Sequence, residues 1–145
     1  MLQGKVQKES QASKTSRGTG TILLVEDQPA VRELTRRILE ARGYQVLHTG
    51  NPQAALDLLG DTHVDLLLTD VVMPELSGPD LAKRVRLQHP SVRVMFMSGY
   101  AGHSALNDNQ GVRLILKPFT PESLAQTVRE VLNTPPTDEQ VQLAS

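Results

Sequence analysis

The sequence predicts an α/β protein: an open, doubly wound, five-stranded parallel sheet with helices on both faces, in a single domain. Three observations predict it. Apolar, β-rich runs alternate with stretches of helical spacing along most of the chain. The runs are mostly continuous rather than alternating, as in strands buried on both faces of a parallel sheet. The length, 145 residues, suits one ordinary domain with a real core.

Taken in order, residues 1–20 are rich in Gln, Lys, Ser, Thr and Gly, with few apolar anchors, and read as a flexible arm or linker. The domain proper is expected over 21–133. Its strands are predicted at Thr21 to Glu26, Tyr44 to Thr49, Val64 to Asp70, Val92 to Ser98 and Val112 to Leu116. A first helix presents Val31, Leu34, Ile38 and Leu39 on one face, with Arg32, Arg36 and Arg37 largely turned away. Ala55, Leu58 and Leu59 mark a second helix, and Leu81, Ala82 and Val85 a third. The stretch Ala101 to Gln110 should hold the fourth, but with only Ala105 and Leu106 as anchors it is expected to be short or irregular. Leu124, Val128, Val131 and Leu132 mark the last. Gly43, Gly60 and Gly111 stand where helices are expected to end. Pro135 and Pro136 stop the final helix, and 134–145 reads as a polar tail.

Composition excludes several classes. A chain that is 39% hydrophobic and 21% charged is globular rather than disordered. A formal net charge of −1 gives no basic excess for nucleic acid. There is no cysteine, hence no disulfide and no thiolate metal site. No apolar run reaches the length of a membrane span and the N-terminus lacks a signal-peptide core, so no membrane contact by this segment is expected and the expected address is cytoplasmic. His48, His63, His89 and His103 lack metal-ligand spacing and are assigned no chemistry.

In a doubly wound sheet the functional site lies beyond the carboxyl ends of the strands. Glu26-Asp27 end the first strand, Asp70 the third and Ser98 the fourth, and Lys117 follows the fifth. Three converging carboxylates repel one another unless a hard cation such as Mg²⁺ joins them. A carboxylate can also attack phosphorus to give an aspartyl phosphate. Taken singly, each group has an ordinary reading: Asp27 as a helix cap, Asp70 as a turn residue, Ser98 in a loop, Lys117 solvated. Those readings leave the convergence on one rim unexplained.

Glu26-Asp27, Thr69-Asp70-Val71-Val72-Met73-Pro74 with Gly78, Met97-Ser98-Gly99 and Lys117-Pro118-Phe119 together resemble the response-regulator receiver family of two-component signalling. The resemblance covers roughly residues 21–133, and the texture is most like the receivers attached to hybrid histidine kinases. It implies a flavodoxin-like fold, Asp70 as phosphoacceptor, and Mg²⁺ held by Glu26, Asp27, Asp70 and the backbone carbonyl of Val72. It makes Ser98 the switch hydroxyl, Lys117 the catalytic lysine, and Pro118 the proline usually preceded by a cis bond. It implies a histidine kinase or histidine phosphotransfer protein as donor and, in the first helix, a docking face for it. It also implies a signalling phosphoacceptor that acts on itself rather than a turnover enzyme.

One departure stands out: Leu114 occupies the position, three before the lysine, where receivers commonly carry Phe or Tyr. Two alternatives follow. A receiver-fold interaction module independent of phosphorylation would tolerate Leu114 but has no need of the intact acidic set. An aspartyl-nucleophile phosphohydrolase typically needs a second Asp two residues after the first, where Val72 stands. A dinucleotide site lacks its glycine-rich loop. With no further domain expected after residue 133, the chain either acts alone through protein contacts or is a piece of a longer hybrid kinase with the polar arm as tether, and the second is the favoured reading.

Overall fold

Ile22 to Val25 and Leu66 to Leu68 are completely buried, so these two runs form the middle of the sheet, as their unbroken apolar character requires. A computed structural model describes residues 19–100, 102 and 113–134. Its elements in chain order are β1 (Thr21–Val25), α1 (Pro29–Ala41), β2 (Gln45–Thr49), α2 (Pro52–Asp61), β3 (Leu66–Asp70), α3 (Gly78–Gln88), β4 (Arg93–Ser98), β5 (Arg113–Leu116) and α4 (Pro121–Leu132). All four strand pairings are parallel, in the spatial order β2-β1-β3-β4-β5. The helical stretch expected over Ala101–Gln110 lies, apart from Gly102, outside the described residues. So do Gly111, residues 1–18 of the expected arm and 135–145 of the expected tail.

Successive strand residues point to opposite faces, and among the described residues two helices pack on each face. Leu23, Val25, Leu67, Val94 and Phe96 pack with Ala55 and Leu59 of α2 and with Leu81, Ala82 and Val85 of α3. Ile22, Leu24, Leu66, Leu68, Met95, Met97 and Ile115 pack with Leu39 of α1 and with Leu124, Val128 and Val131 of α4. Each fully buried Leu or Ile contributes about 1.5–3 kcal/mol, so both layers are needed to hold the sheet.

Local signals start the helices. Asn51 accepts from the amides of Gln53 and Ala54 at the head of α2, and Ser77 accepts from Asp80 at the head of α3. Thr120 and Ser123 cap each other's backbone at the head of α4. Pro29, Pro52, Pro79 and Pro121 each occupy a first-turn position, where a missing N–H costs nothing.

Two expectations are corrected. Leu34 is 58% exposed, and Thr35 takes the inward place, buried with its hydroxyl donating to the Val31 carbonyl at 2.7 Å. The α1 stripe is therefore Val31, Thr35, Ile38 and Leu39, one residue round from the purely apolar pattern. Gly60 lies within α2, whose cap is Thr62, whereas Gly43 does follow the end of α1, at φ 103°.

Candidate functional site

Parallel register sets the carboxyl ends of the strands level. Val25 lies opposite Thr69 and Asp70 opposite Met97, which puts Glu26 and Asp70 side by side, one residue beyond β1 and at the last residue of β3. Ser98 lies opposite Leu116, and the Lys117 amide donates to the Ser98 carbonyl at 2.8 Å. The rim anticipated from the sequence thus comes together where strand order reverses, between β1 and β3. Glu26 is wholly buried and Asp70 nearly so, while Asp27 is half-exposed. Carboxylate oxygens of all three lie within 4.8 Å of one another.

Lys117 spans two of the three: its Nζ donates to Glu26 Oε1 at 2.8 Å and to Asp70 Oδ2 at 3.2 Å. The other Glu26 oxygen accepts from the Gln28 amide at 3.2 Å. Burial pushes the Glu26 carboxyl above its ordinary value, against the pull of Lys117 and the Gln28 amide, and the Asp70 charge adds to the rise. For Lys117, burial acts downward, but the Glu26 hydrogen bond and the Asp70 and Glu26 charges outweigh it and raise the ammonium's pKa. The Lys117–Pro118 peptide bond is cis, as the resemblance implied.

The Ser98 hydroxyl is buried at the same rim, donating to the Tyr100 carbonyl at 3.2 Å and accepting from the Tyr100 amide at 3.0 Å. Asp27, Asp70, Val72, Ser98 and Lys117 line one cleft. Gln28, not Asp27, is the N-cap residue of α1, so the reading of Asp27 as a cap does not hold. Leu114 lies beside Phe96, half-buried against the α2–α3 face of the core.

Two neighbours of the site were not assigned a role from the sequence. Gly78 begins α3 directly beneath the end of β3: a Cβ there would stand 2.1 Å from the Asp70 carbonyl oxygen. Arg32, read from helical spacing as part of a solvated face, turns back so that Nη1 donates to the Glu26 carbonyl at 2.6 Å. The rest of that face is not a free basic patch, because Arg36 pairs with Glu33 and Glu40, and Arg37 with Glu33. Glu33 is held down to about 2 by its hydrogen bonds to Arg36 and Arg37.

The family model described as the response regulator receiver domain matches residues 22–129. The chain belongs to the response-regulator receiver family. This receiver domain is 35% identical over 114 residues to the response regulator receiver protein CpdR of Brucella abortus, covering 77% of the chain and 95% of CpdR. It is 38% identical over 133 residues to the sensor kinase CckA of the same organism, covering 88% of the chain but only 14% of that kinase. Among solved structures, the receiver domain from the hybrid histidine kinase CckA superimposes with a TM-score of 0.66 at 37% identity, covering 79% of this chain and all of that one. Receiver domains are signalling phosphoacceptors that work with histidine kinases or phosphotransfer proteins, and the family binds Mg²⁺ at an acidic pocket. No described helix of this receiver is long and apolar enough to cross a membrane.

Proposed function

We propose that this receiver accepts a phosphoryl group onto Asp70 from the phosphohistidine of a histidine kinase or histidine phosphotransfer protein. The observation that carries the proposal is three carboxylates within 4.8 Å, two of them bridged by Lys117, beside a cleft that Asp27, Asp70 and Lys117 line. The donors are hard oxygens with no sulfur or imidazole among them, which suits Mg²⁺. Glu26, Asp27, Asp70 and the Val72 carbonyl would hold the ion, which when bound supplies positive charge to the carboxylates and the phosphoryl oxygens.

An Asp70 oxygen attacks phosphorus in line. The new O–P bond forms as the bond to the donor imidazole nitrogen breaks, and that nitrogen leaves with the bonding pair and takes up a proton. Lys117 transfers its hydrogen bonds from the carboxylates to the phosphoryl oxygens, and Ser98 exchanges its Tyr100 partner for one of them. Water later cleaves the aspartyl phosphate, so the domain acts on itself. Exposed Leu34 on α1, flanked by Arg37, supports that helix as the donor's docking face. A cytoplasmic address accompanies this reading.

Intact-protein mass spectrometry after incubation with a small phosphodonor tests it. The expected result is one added phosphoryl group that requires both Mg²⁺ and Asp70, and that Asp70→Asn abolishes. No adduct on a folded protein would favour a phosphorylation-independent interaction module. The half-buried Leu114, with no ring to reorient, is the observation on that side.

A further inference from the structure

We infer that Arg32 is a positioning residue for the cation site: by holding the Glu26 carbonyl it fixes the peptide plane that carries Asp27, and so aims the Asp27 carboxylate. The inference rests on the reading of Glu26, Asp27 and Asp70 as the Mg²⁺ ligands, and deepens it.

Arg32 is the fourth residue of α1, close to the positive end of the helix dipole, where a cation is ordinarily disfavoured. Ordering its long side chain there costs rotamer freedom as well. The compensation is a short, charge-assisted hydrogen bond, Nη1 to the Glu26 carbonyl at 2.6 Å. Space for the guanidinium comes from the loop after β2. A Cβ on Gly50 would stand 2.6 Å from Arg32 Nη1, and 3.4 Å from both the Glu26 carbonyl oxygen and the Asp27 Cα. The guanidinium therefore fills the place a side chain at residue 50 would take, over the peptide that joins Glu26 to Asp27.

The two acids depend on this contact to different degrees. Glu26 has other tethers: its amide donates to the Thr49 carbonyl at 3.1 Å, and its carboxylate accepts from Gln28 and Lys117. The Asp27 carboxylate has no hydrogen-bond partner among the described residues. Its direction is set by its backbone, and the planar peptide ahead of it is held at the carbonyl by Arg32. Without that bond the plane can rotate and the half-exposed carboxylate loses its fixed direction.

The sign of the effect separates positioning from charge. A guanidinium beside a cation site repels the cation, so a purely electrostatic Arg32 would bind Mg²⁺ more tightly once removed. A positioning Arg32 would bind it less tightly. Isothermal titration with MgCl₂ on wild type, Arg32→Gln and Arg32→Met measures this, with circular-dichroism melts alongside. Of the two variants, methionine keeps the apolar stem in case glutamine fails to fold.

The expected result is about fivefold weaker binding, the equivalent of one lost hydrogen bond. The Mg²⁺-induced amide shift of Asp27 in ¹⁵N spectra should shrink with it. Arg32→Lys, which keeps a cationic donor nitrogen, should recover part of the loss, and Arg84→Gln, the same charge change at an exposed position of α3, should leave the affinity unchanged. Wild-type or tighter affinity in the folded Gln or Met variant overturns the inference. A wild type that binds no Mg²⁺ overturns the reading of the site, and the inference with it. A wild type that binds Mg²⁺ and is phosphorylated on Asp70 keeps that reading whatever the Arg32 variants do.

Discussion

Replacing Gly78 by alanine places a methyl group where backbone already stands. The added Cβ would lie 2.1 Å from the Asp70 carbonyl oxygen and 3.0 Å from both the Asp70 carbonyl carbon and the Val71 Cα. None of these atoms can rotate away, and Gly78 is itself tied by its amide to the Val71 carbonyl at 2.8 Å. A close-packed interior admits no non-bonded approach much below 3 Å, so the end of β3 or the start of α3 must yield by about 1 Å. Overpacking of this kind costs about 1–3 kcal/mol. For a domain of this size that lowers the melting temperature by about 4 °C per kcal/mol.

The same shift displaces the Asp70 carboxylate from Lys117, and a misplacement of about 1 Å can slow a positioned reaction about 100-fold. Far-UV circular dichroism reads the first effect, and the rate of phosphorylation by a small phosphodonor reads the second. Gly60→Ala is the matched comparison. It lies inside α2 with nothing within 4 Å of the new methyl, so it should stabilise by about 0.5 kcal/mol through helix propensity. A Gly78→Ala protein with wild-type stability and rate would refute the steric reasoning. Lost stability with an unchanged rate would show that the end of β3 is not what positions Asp70.

Three further outcomes are expected. Glu26 has a folded pKa above its unfolded one, so without divalent cation its contribution is fully present below the ordinary value of 4.5 and is lost as pH rises through the elevated one. Glu26→Gln should flatten that dependence and raise the metal-free melting temperature at neutral pH. It should also reduce the stabilisation by Mg²⁺, which for wild type reaches about 2.7 kcal/mol at 100 times the dissociation constant; a metal-free melting temperature that falls would count against the pKa direction. Glu75 holds φ at 77°, a left-handed conformation costing a side chain about 1–2 kcal/mol, so Glu75→Asn should stabilise by up to about 1 kcal/mol in denaturant titrations. Charge reversal at Arg36 and Arg37 should slow transfer from the cognate phosphohistidine donor while leaving small-molecule phosphorylation unchanged, and equal donor rates would remove α1 from the docking face.

The strands were legible because a strand buried on both faces is apolar through most of its length, and β1 and β3 differ from their expected bounds by one or two residues. The acidic rim was legible because strand order and parallel register bring strand ends together whatever the loops do. Leu34 was misplaced because periodicity counts only apolar residues, whereas Thr35 satisfies its hydroxyl inside its own helix and can face inward. Arg32 was read as solvated for a related reason. Helical spacing gives the angle at which a side chain leaves α1, but not that a seven-atom arm will fold back onto the preceding loop. The vacancy left by Gly50 is visible only once α1 and β2 are side by side.

The ion pairs of the site join residues remote in sequence: Lys117 meets Asp70 across 47 positions and Glu26 across 91. Contacts of such separation form only after their loop-closure entropy has been met, late in the assembly of a parallel sheet. A chain in which β1 and β3 have paired but β5 has not docked already holds its three acids, yet lacks the ammonium between them. On the proposed chemistry such a partly folded molecule is a poor phosphoryl acceptor, so reactivity itself reports completion of the sheet. A relay built on this domain would draw its signal from finished molecules, with no separate check on folding.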